Sequence, residues 1–208
     1  QGYRVKINDT IGDVIEKNIQ LCQNTTEKVL AIKKDNEQDY WVIAHEWNSN
    51  KFRVYEITAS GINPIPIESN VGSVHEGGYS SGAEANGWTN AIGYMKSSTD
   101  GTQIALTIYR ENKIEVFDFD RSTGIISNCK SSESIFPDAY GIEFSPNNKF
   151  LYLSQYIYPS NGRITQFDLE LGPNLDYYTT IADINNRIGA IQLGPDGKLY
   201  ASEYYNTY

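Results

Sequence analysis

The chain has 208 residues, with 17 Lys and Arg against 26 Asp and Glu, which gives a formal net charge of −9. This balance argues against nucleic acid and anionic membrane surfaces as the main partners, because both are negatively charged. No stretch approaches the 18 or so consecutive apolar residues of a membrane span, so membrane insertion is not expected either.

The residue types favour an all-β protein. There are 16 Tyr, 3 Trp and 7 Phe, which suit half-buried pleated surfaces, and 17 Gly, which suit tight turns. Cys22 and Cys129 do not make a disulfide framework, and whether they pair is left open. His45 and His75 lack the spacing of a zinc-ligand pair, so neither a metal nor another cofactor is predicted.

Taken in chain order, the sequence contains three copies of one unit and the start of a fourth. Each copy is a strand, an Asp-Gly-like turn, a second strand, a polar turn, a third strand, a Gly turn and a fourth strand. Residues 1–21 are expected to end a preceding unit. The copies cover residues 28–68, 91–129 and 140–184, and a further unit begins in residues 190–208.

Four-stranded antiparallel units that recur every 50 to 60 residues or so are typical of β-propeller blades. The predicted fold is therefore an all-β propeller of the WD40 or YVTN type, with four-stranded antiparallel blades. At about 50 residues per blade, 208 residues make about four blades, and neither end supplies a closing strand. The expectation is an incomplete part of a larger propeller.

A set of motifs gives the chain a family resemblance. They are residues 27–34 followed by 39–42, HEWNSN at 45–50 followed by Phe52, GIEFSP at 141–146 followed by Leu151 and Tyr152, and AIQLGPDGKLY at 190–200, with 12–14 and 17–18 in addition. Together they resemble the propeller region of exported Bacteroidetes proteins that carry a C-terminal type B, gliding-motility type sorting domain of the type IX secretion system. The resemblance implies secretion or an outer cell-surface location, contact with the secretion machinery through a C-terminal region outside this chain, and further blades on both sides. It supplies no catalytic residues.

Candidate binding residues follow from propeller geometry, because loops after second strands and loops between blades open on one face. The candidates are His45, Glu46, Trp47, Asn48, His75, Trp88, Tyr109, Arg110, Tyr156, Tyr158 and Tyr204. His75 and Trp88 belong to the segment 69–90, which is rich in Gly and predicted to be a long exposed loop. Aromatic rings beside amides and carboxylates suit sugars, although the same rings could instead pack between blades.

Signals for catalysis, metal binding and modification are weaker. His45 and Glu46 are adjacent in a strand and point to opposite faces, which disfavours an acid–base pair. Asp118 and Asp120 share a face and could hold Ca²⁺, but a solvated strand end is the simpler interpretation. Thr10 lies in an Asp-Thr-apolar pattern that resembles an O-glycosylation site of exported Bacteroidetes proteins.

No GxSxG, Walker A or HExxH motif supports an enzyme. The sequence therefore predicts a non-catalytic extracellular or cell-surface module that binds a glycan or a surface protein, or acts as a scaffold. Two alternatives stay open. One is a propeller enzyme of lactonase or polysaccharide-cleaving type, and the other is a structural spacer.

Overall fold

The computed structural model describes residues 5–8, 11–14, 17–78, 87–157, 159 and 161–204, with backbone alone for 5–14 and Tyr204. These residues form seventeen strands and two short 3₁₀ turns, which confirms the all-β prediction. Within the same ranges, no helix is long and apolar enough to cross a membrane.

The strands form antiparallel sheets in chain order. A short hairpin comes first, formed by β1 (Val5–Asn8) and β2 (Ile11–Val14). The first large sheet contains β3 (Thr25–Lys33), β4 (Tyr40–Glu46), β5 (Ser49–Thr58), β6 (Gly61–Ile62) and β7 (Ile67–His75). The second contains β8 (Met95–Ser97), β9 (Gln103–Ile108), β10 (Lys113–Phe119) and β11 (Ile126–Ser131).

The third sheet contains β12 (Ala139–Phe144), β13 (Phe150–Ile157), β14 (Asn161–Asp168) and β15 (Tyr178–Ile184). The described chain ends in a two-stranded sheet of β16 (Arg187–Leu193) and β17 (Leu199–Tyr204). The second and third sheets each have four strands paired in sequence order, as the repeat predicted, and the described sheets do not close into a ring.

The outer edge of the first sheet differs from the prediction. Strand β7 runs to His75 and pairs with β5, so the expected loop 69–90 begins with seven residues of strand. Gly72, one of the glycines of that segment, lies in the strand with φ +82°, and a Cβ there would sit 2.8 Å from the ring of Phe117. A glycine in a strand here marks a close approach between two sheets, not a loop.

Strands in the middle of the arc are buried on both faces. In β9, Ile104 and Leu106 belong to the apolar cluster shared with the first sheet, whereas Ala105 belongs to the cluster shared with the third. In β10, Phe117 belongs to the cluster shared with the first sheet and Val116 to the cluster shared with the third. Alternate residues therefore face different neighbouring sheets, which explains why these strands are apolar throughout.

Hydroxyl groups on second strands join each sheet to the next. Thr107 Oγ1 in β9 donates to the carbonyl of Tyr140 in β12 at 2.8 Å. Ser154 Oγ in β13 donates to the carbonyl of Gly189 in β16 at 2.6 Å and accepts from the Gly141 amide at 2.9 Å. A Cβ on Gly141 would lie 2.6 Å from that hydroxyl, so glycine is needed for the inner strands, which are the first strands of each sheet, to approach.

Candidate functional site

An open cleft of about 430 Å³ lies where the inner strands of successive sheets begin. Three tyrosines contribute to its lining, Tyr109, Tyr140 and Tyr156, together with Arg187. Glu27 from β3, the apolar side chains Ile92 and Ile188, and the backbone of Gly189 complete the lining. We call this group of eight residues the tyrosine cleft.

The repeat explains why the three rings converge. Tyr109 follows β9 directly, and Tyr156 lies near the end of β13, so both come from the ends of second strands. Tyr140 lies near the start of the inner strand β12. Second strands end where inner strands begin, because the two are antiparallel neighbours. All three tyrosines therefore reach the same end of the sheets.

The aromatic side chains hold one another at defined angles. The rings of Tyr109 and Tyr140 meet edge to face, with 6.4 Å between centroids. The guanidinium carbon of Arg187 lies 4.4 Å from the ring centroid of Tyr156. Arg187 Nη2 and the Tyr156 hydroxyl donate to the same carbonyl of Pro159, at 3.3 Å and 2.7 Å. Arg187 and Tyr156 thus form a fixed pair along one wall of the cleft.

Electrostatics keep two of the cleft tyrosines protonated. Burial raises the pKa of the Tyr109 phenol, and the nearby Asp138 carboxylate adds to that effect. Burial also raises the pKa of Tyr140, with smaller contributions from Tyr94 and Glu27. Neither hydroxyl hydrogen-bonds to the described part of the chain, so both can donate to or accept from a ligand.

The first sheet supports the opposite side of the cleft through a buried lysine. Lys28 Nζ donates to the carbonyls of Asn90, Ala91 and Ile92 at 3.3, 3.1 and 3.1 Å. The side chain is 1 % exposed, and its burial lowers the pKa to about 7. Glu27 is exposed, with its side chain alternate to that of Lys28 along β3. Lys28 therefore fixes the backbone on which Ile92 enters the cleft.

Only part of the predicted binding group meets at this cleft. Tyr109 and Tyr156 line it, and Arg110 lies beside it, 5.0 Å from the Tyr109 ring and paired with Asp138 at 2.7 Å. Trp88 is 59 % exposed and lies outside the lining.

The predicted residues at the end of β4 lie apart from the cleft. Glu46 accepts from Arg53 Nη2 at 2.7 Å, which makes its carboxylate part of an ion pair. Trp47 is half-buried in the turn after β4, and Asn48 takes a left-handed φ of 57° there. Asn48 thus serves the hairpin through its backbone, because asparagine tolerates that conformation.

His45 and His75 are not on an exposed face, which corrects the prediction. Their rings stack with centroids 3.7 Å apart, and the residues are 1 % and 0 % exposed. Burial lowers the pKa of His45 to about 3 and that of His75 still further, and the Lys28 charge adds to both effects. His45 Nδ1 and both ring nitrogens of His75 have no hydrogen-bond partner among the described residues. Both imidazoles are therefore neutral and belong to the interior.

Other sequence candidates have local explanations or lie outside the described residues. Asp118 accepts from Asn128 Nδ2 at 2.8 Å, and Asp120 accepts from the Ser122 amide at 2.8 Å in the following turn. Across the described ranges, no group of three or more His, Cys, Asp or Glu side chains could hold a metal ion. Cys22 and Cys129 are both free thiols. Thr10, Tyr158 and the Tyr204 side chain lie outside the described residues.

Sequence reasoning missed Glu27, Tyr140 and Arg187. Each of them lies near the beginning of an inner strand. The rule that loops between blades open on the binding face would have found them if it had been extended to the first residues of those strands.

No family model and no curated protein matches the sequence. Among solved structures, a functionally unknown protein from Desulfotomaculum acetoxidans is 14 % identical, with a TM-score of 0.56 over 95 % of this chain and 54 % of that one. A protein from Lactobacillus plantarum is 17 % identical, with a TM-score of 0.54 over 93 % of this chain and 54 % of that one. A "putative 6-phosphogluconolactonase" from Bacteroides fragilis is 11 % identical, with a TM-score of 0.51 over 83 % and 46 %.

These similarities show that the chain has a β-propeller-like fold, similar to that of 6-phosphogluconolactonase-like propellers. At these identities they speak for the fold alone. The chain spans about half the length of the structures that it matches.

Proposed function

We propose that this chain is the ligand-binding part of a β-propeller and that the tyrosine cleft binds a sugar-sized polar ligand without transforming it. The observation on which the proposal depends is the convergence of Tyr109, Tyr140 and Tyr156 on one cleft of about 430 Å³. Ligand sites are typically clefts of this size that combine aromatic walls with a few polar groups.

The chemistry of the lining favours a carbohydrate. Tyrosine rings present apolar faces to the C–H faces of a sugar, and the hydroxyls of Tyr109 and Tyr140 are available to pair with sugar hydroxyls. Each stacked ring contributes about 0.5–1.5 kcal/mol, so a single site binds weakly. Repeated or multivalent presentation would then raise the overall affinity.

The test is a glycan array followed by calorimetric titration of the best-bound oligosaccharide. Tyr109→Leu and Tyr156→Leu should each weaken binding roughly two- to tenfold, since each removes one stacking ring. Tyr177→Leu is a matched control, because Tyr177 is 52 % exposed and lies outside the cleft. Trp88→Ala separates the cleft from the sequence-based candidate surface.

Binding that survives both changes in the cleft would refute the proposal. Binding that is lost on Trp88→Ala alone would move the site to the inter-blade segment. Melting temperatures of all variants should be compared, because a change in affinity is meaningful only for folded protein.

We also propose that the chain belongs to a larger propeller that is exported to the bacterial cell surface. The coverage of about half of each matched structure supports the first part. The motif resemblance at 45–50 and 190–200 supports the second. An open arc of sheets exposes apolar edges, so the isolated chain of 208 residues should self-associate in sedimentation experiments. A cooperatively melting monomer would favour a small closed propeller.

Lactone hydrolysis is the second candidate. The Bacteroides fragilis structure has a lactonase-like name, and the cleft holds one carboxylate, Glu27, that could act as a base. In that case Glu27→Gln would abolish turnover of a sugar lactone and leave the melting temperature unchanged. No turnover by the unaltered chain would leave binding as the function.

A further inference from the structure

The arginines in the described part of the chain share a pattern from which one member departs. Arg53, Arg110 and Arg163 each have a carboxylate within 3.0 Å, and Arg121 contacts Glu37. Arg187 has no carboxylate within 4.0 Å among the described residues. In a protein with 26 acidic and 17 basic residues, an arginine without a counter-ion stands out.

The position of Arg187 is also fixed. Its guanidinium carbon lies 4.4 Å from the ring centroid of Tyr156, and Nη2 donates to the Pro159 carbonyl, so little side-chain freedom remains to be lost on binding. Nε is buried and out of reach of a ligand, whereas Nη1 makes no hydrogen bond to the described residues and is not buried. A planar guanidinium with unused N–H donors is the group that proteins use to recognise carboxylates in a two-bond fork.

The remaining charge in the cleft limits what the ligand can be. Glu27 enters from the first sheet, and its carboxylate has no hydrogen bond or ion pair within the described part of the chain. A ligand that carried negative charge at both ends would be repelled by it. Glu27 instead suits the hydroxyl groups of a sugar, because these groups are neutral and can donate hydrogen bonds to its carboxylate.

From these contacts we infer that the ligand of the tyrosine cleft is a sugar acid, with its carboxylate on Arg187 and its hydroxyls directed to Glu27 and the tyrosines. This inference rests on the proposed function and narrows it to one class of ligand. Uronic acid units of otherwise neutral polysaccharides and free uronic acids both have this chemistry, so polymeric and monomeric probes distinguish the two sources.

The experiment is a calorimetric titration at constant ionic strength with sodium glucuronate, its neutral methyl ester, glucose, sodium acetate and a neutral oligosaccharide that carries one uronate unit. Glucuronate should bind at least tenfold more tightly than the ester. Arg187→Gln should remove that preference, so that glucuronate and its ester bind with equal affinity. Arg163→Gln is the matched control, since Arg163 pairs with Asp183 on an outer strand and lies away from the cleft.

Each result has a defined meaning. Equal affinity for glucuronate and its ester, or an acid preference that survives Arg187→Gln, overturns the sugar-acid inference and leaves the cleft as a neutral sugar site. Acetate that binds as tightly as glucuronate also overturns the sugar-acid inference, because the site would then recognise only the carboxylate. If none of the five probes binds, the proposed function fails together with the inference.

Discussion

The stacked pair His45 and His75 should make the protein unstable in mild acid. Both imidazoles are buried and neutral, with the pKa of His45 lowered from 6.5 to about 3 and that of His75 lowered further. Below pH 6.5 the unfolded chain therefore binds protons that the folded chain excludes. The stability from this pair is fully present above that pH and is lost as the pH falls toward the folded pKa.

The magnitude follows from the linkage relation. Each excluded proton removes about 1.4 kcal/mol of unfolding free energy per pH unit once the pH is well below the unfolded pKa. Between pH 6.5 and 5.0 the pair should therefore remove roughly 3 kcal/mol, with about half from each histidine. A typical domain has a stability of only about 5–15 kcal/mol, so the effect is large.

Urea unfolding at half-unit steps between pH 5.0 and 6.5 measures this slope. His75→Phe should halve it, and the double variant His45→Phe/His75→Phe should abolish it, because the chain contains only two histidines. A packing cost of the larger phenylalanine ring would lower the stability equally at every pH, so it does not change the slope. His75→Leu is the smaller alternative if the phenylalanine variant does not fold.

An unchanged slope in both the single and the double variants would refute the reasoning. It would mean that the histidines are already protonated in the folded protein or are accessible to water. A slope that falls only in the double variant would show that either imidazole alone can account for the excluded protons.

Three further predictions concern the packing between sheets. Thr107→Val should lower the unfolding free energy by about 1–2 kcal/mol in urea titration, because it removes the hydrogen bonds of Thr107 Oγ1 with the Tyr140 carbonyl and the Tyr94 amide. Thr179→Val on an exposed strand should change it little. Phe117→Ala should lower the unfolding free energy by about 3–5 kcal/mol by the same assay, whereas Ile65→Ala, at a side chain that is 76 % exposed, should change it little. Equal losses of stability in the two variants would contradict the assignment of Phe117 to the core. Burial lowers the pKa of Lys28 to about 7, so its contribution to stability should rise between pH 7.5 and 8.5, and Lys28→Met should flatten that rise in paired melts.

The sequence by itself determined the secondary structure and its repetition. Turn residues such as Asn112, Asn148 and Gly101 adopt the positive φ that the hairpin interpretation required. Apolar runs such as β9 and β10 are buried on both faces, as expected for blades between two neighbours. These properties are local or periodic, so they are visible in one chain without knowledge of its partners in space.

The candidate site was only half visible in the sequence. Tyr109 and Tyr156 could be predicted because they lie at the ends of second strands, a position that the repeat defines. Glu27 and Arg187 meet at one cleft although 160 positions separate them in the sequence. No local pattern marks that relation, because it depends on how successive sheets are stacked around the arc.

Only the tertiary structure determined which polar residues are buried in the interior. His45 and His75 stack because β4 and β7 both border β5, which brings the ends of the two strands together. Lys28 is buried because the segment before β8 turns three carbonyls toward its ammonium group. Burial of a polar side chain depends on the partners that the other sheets supply, and these long-range contacts exist only after the sheets have packed.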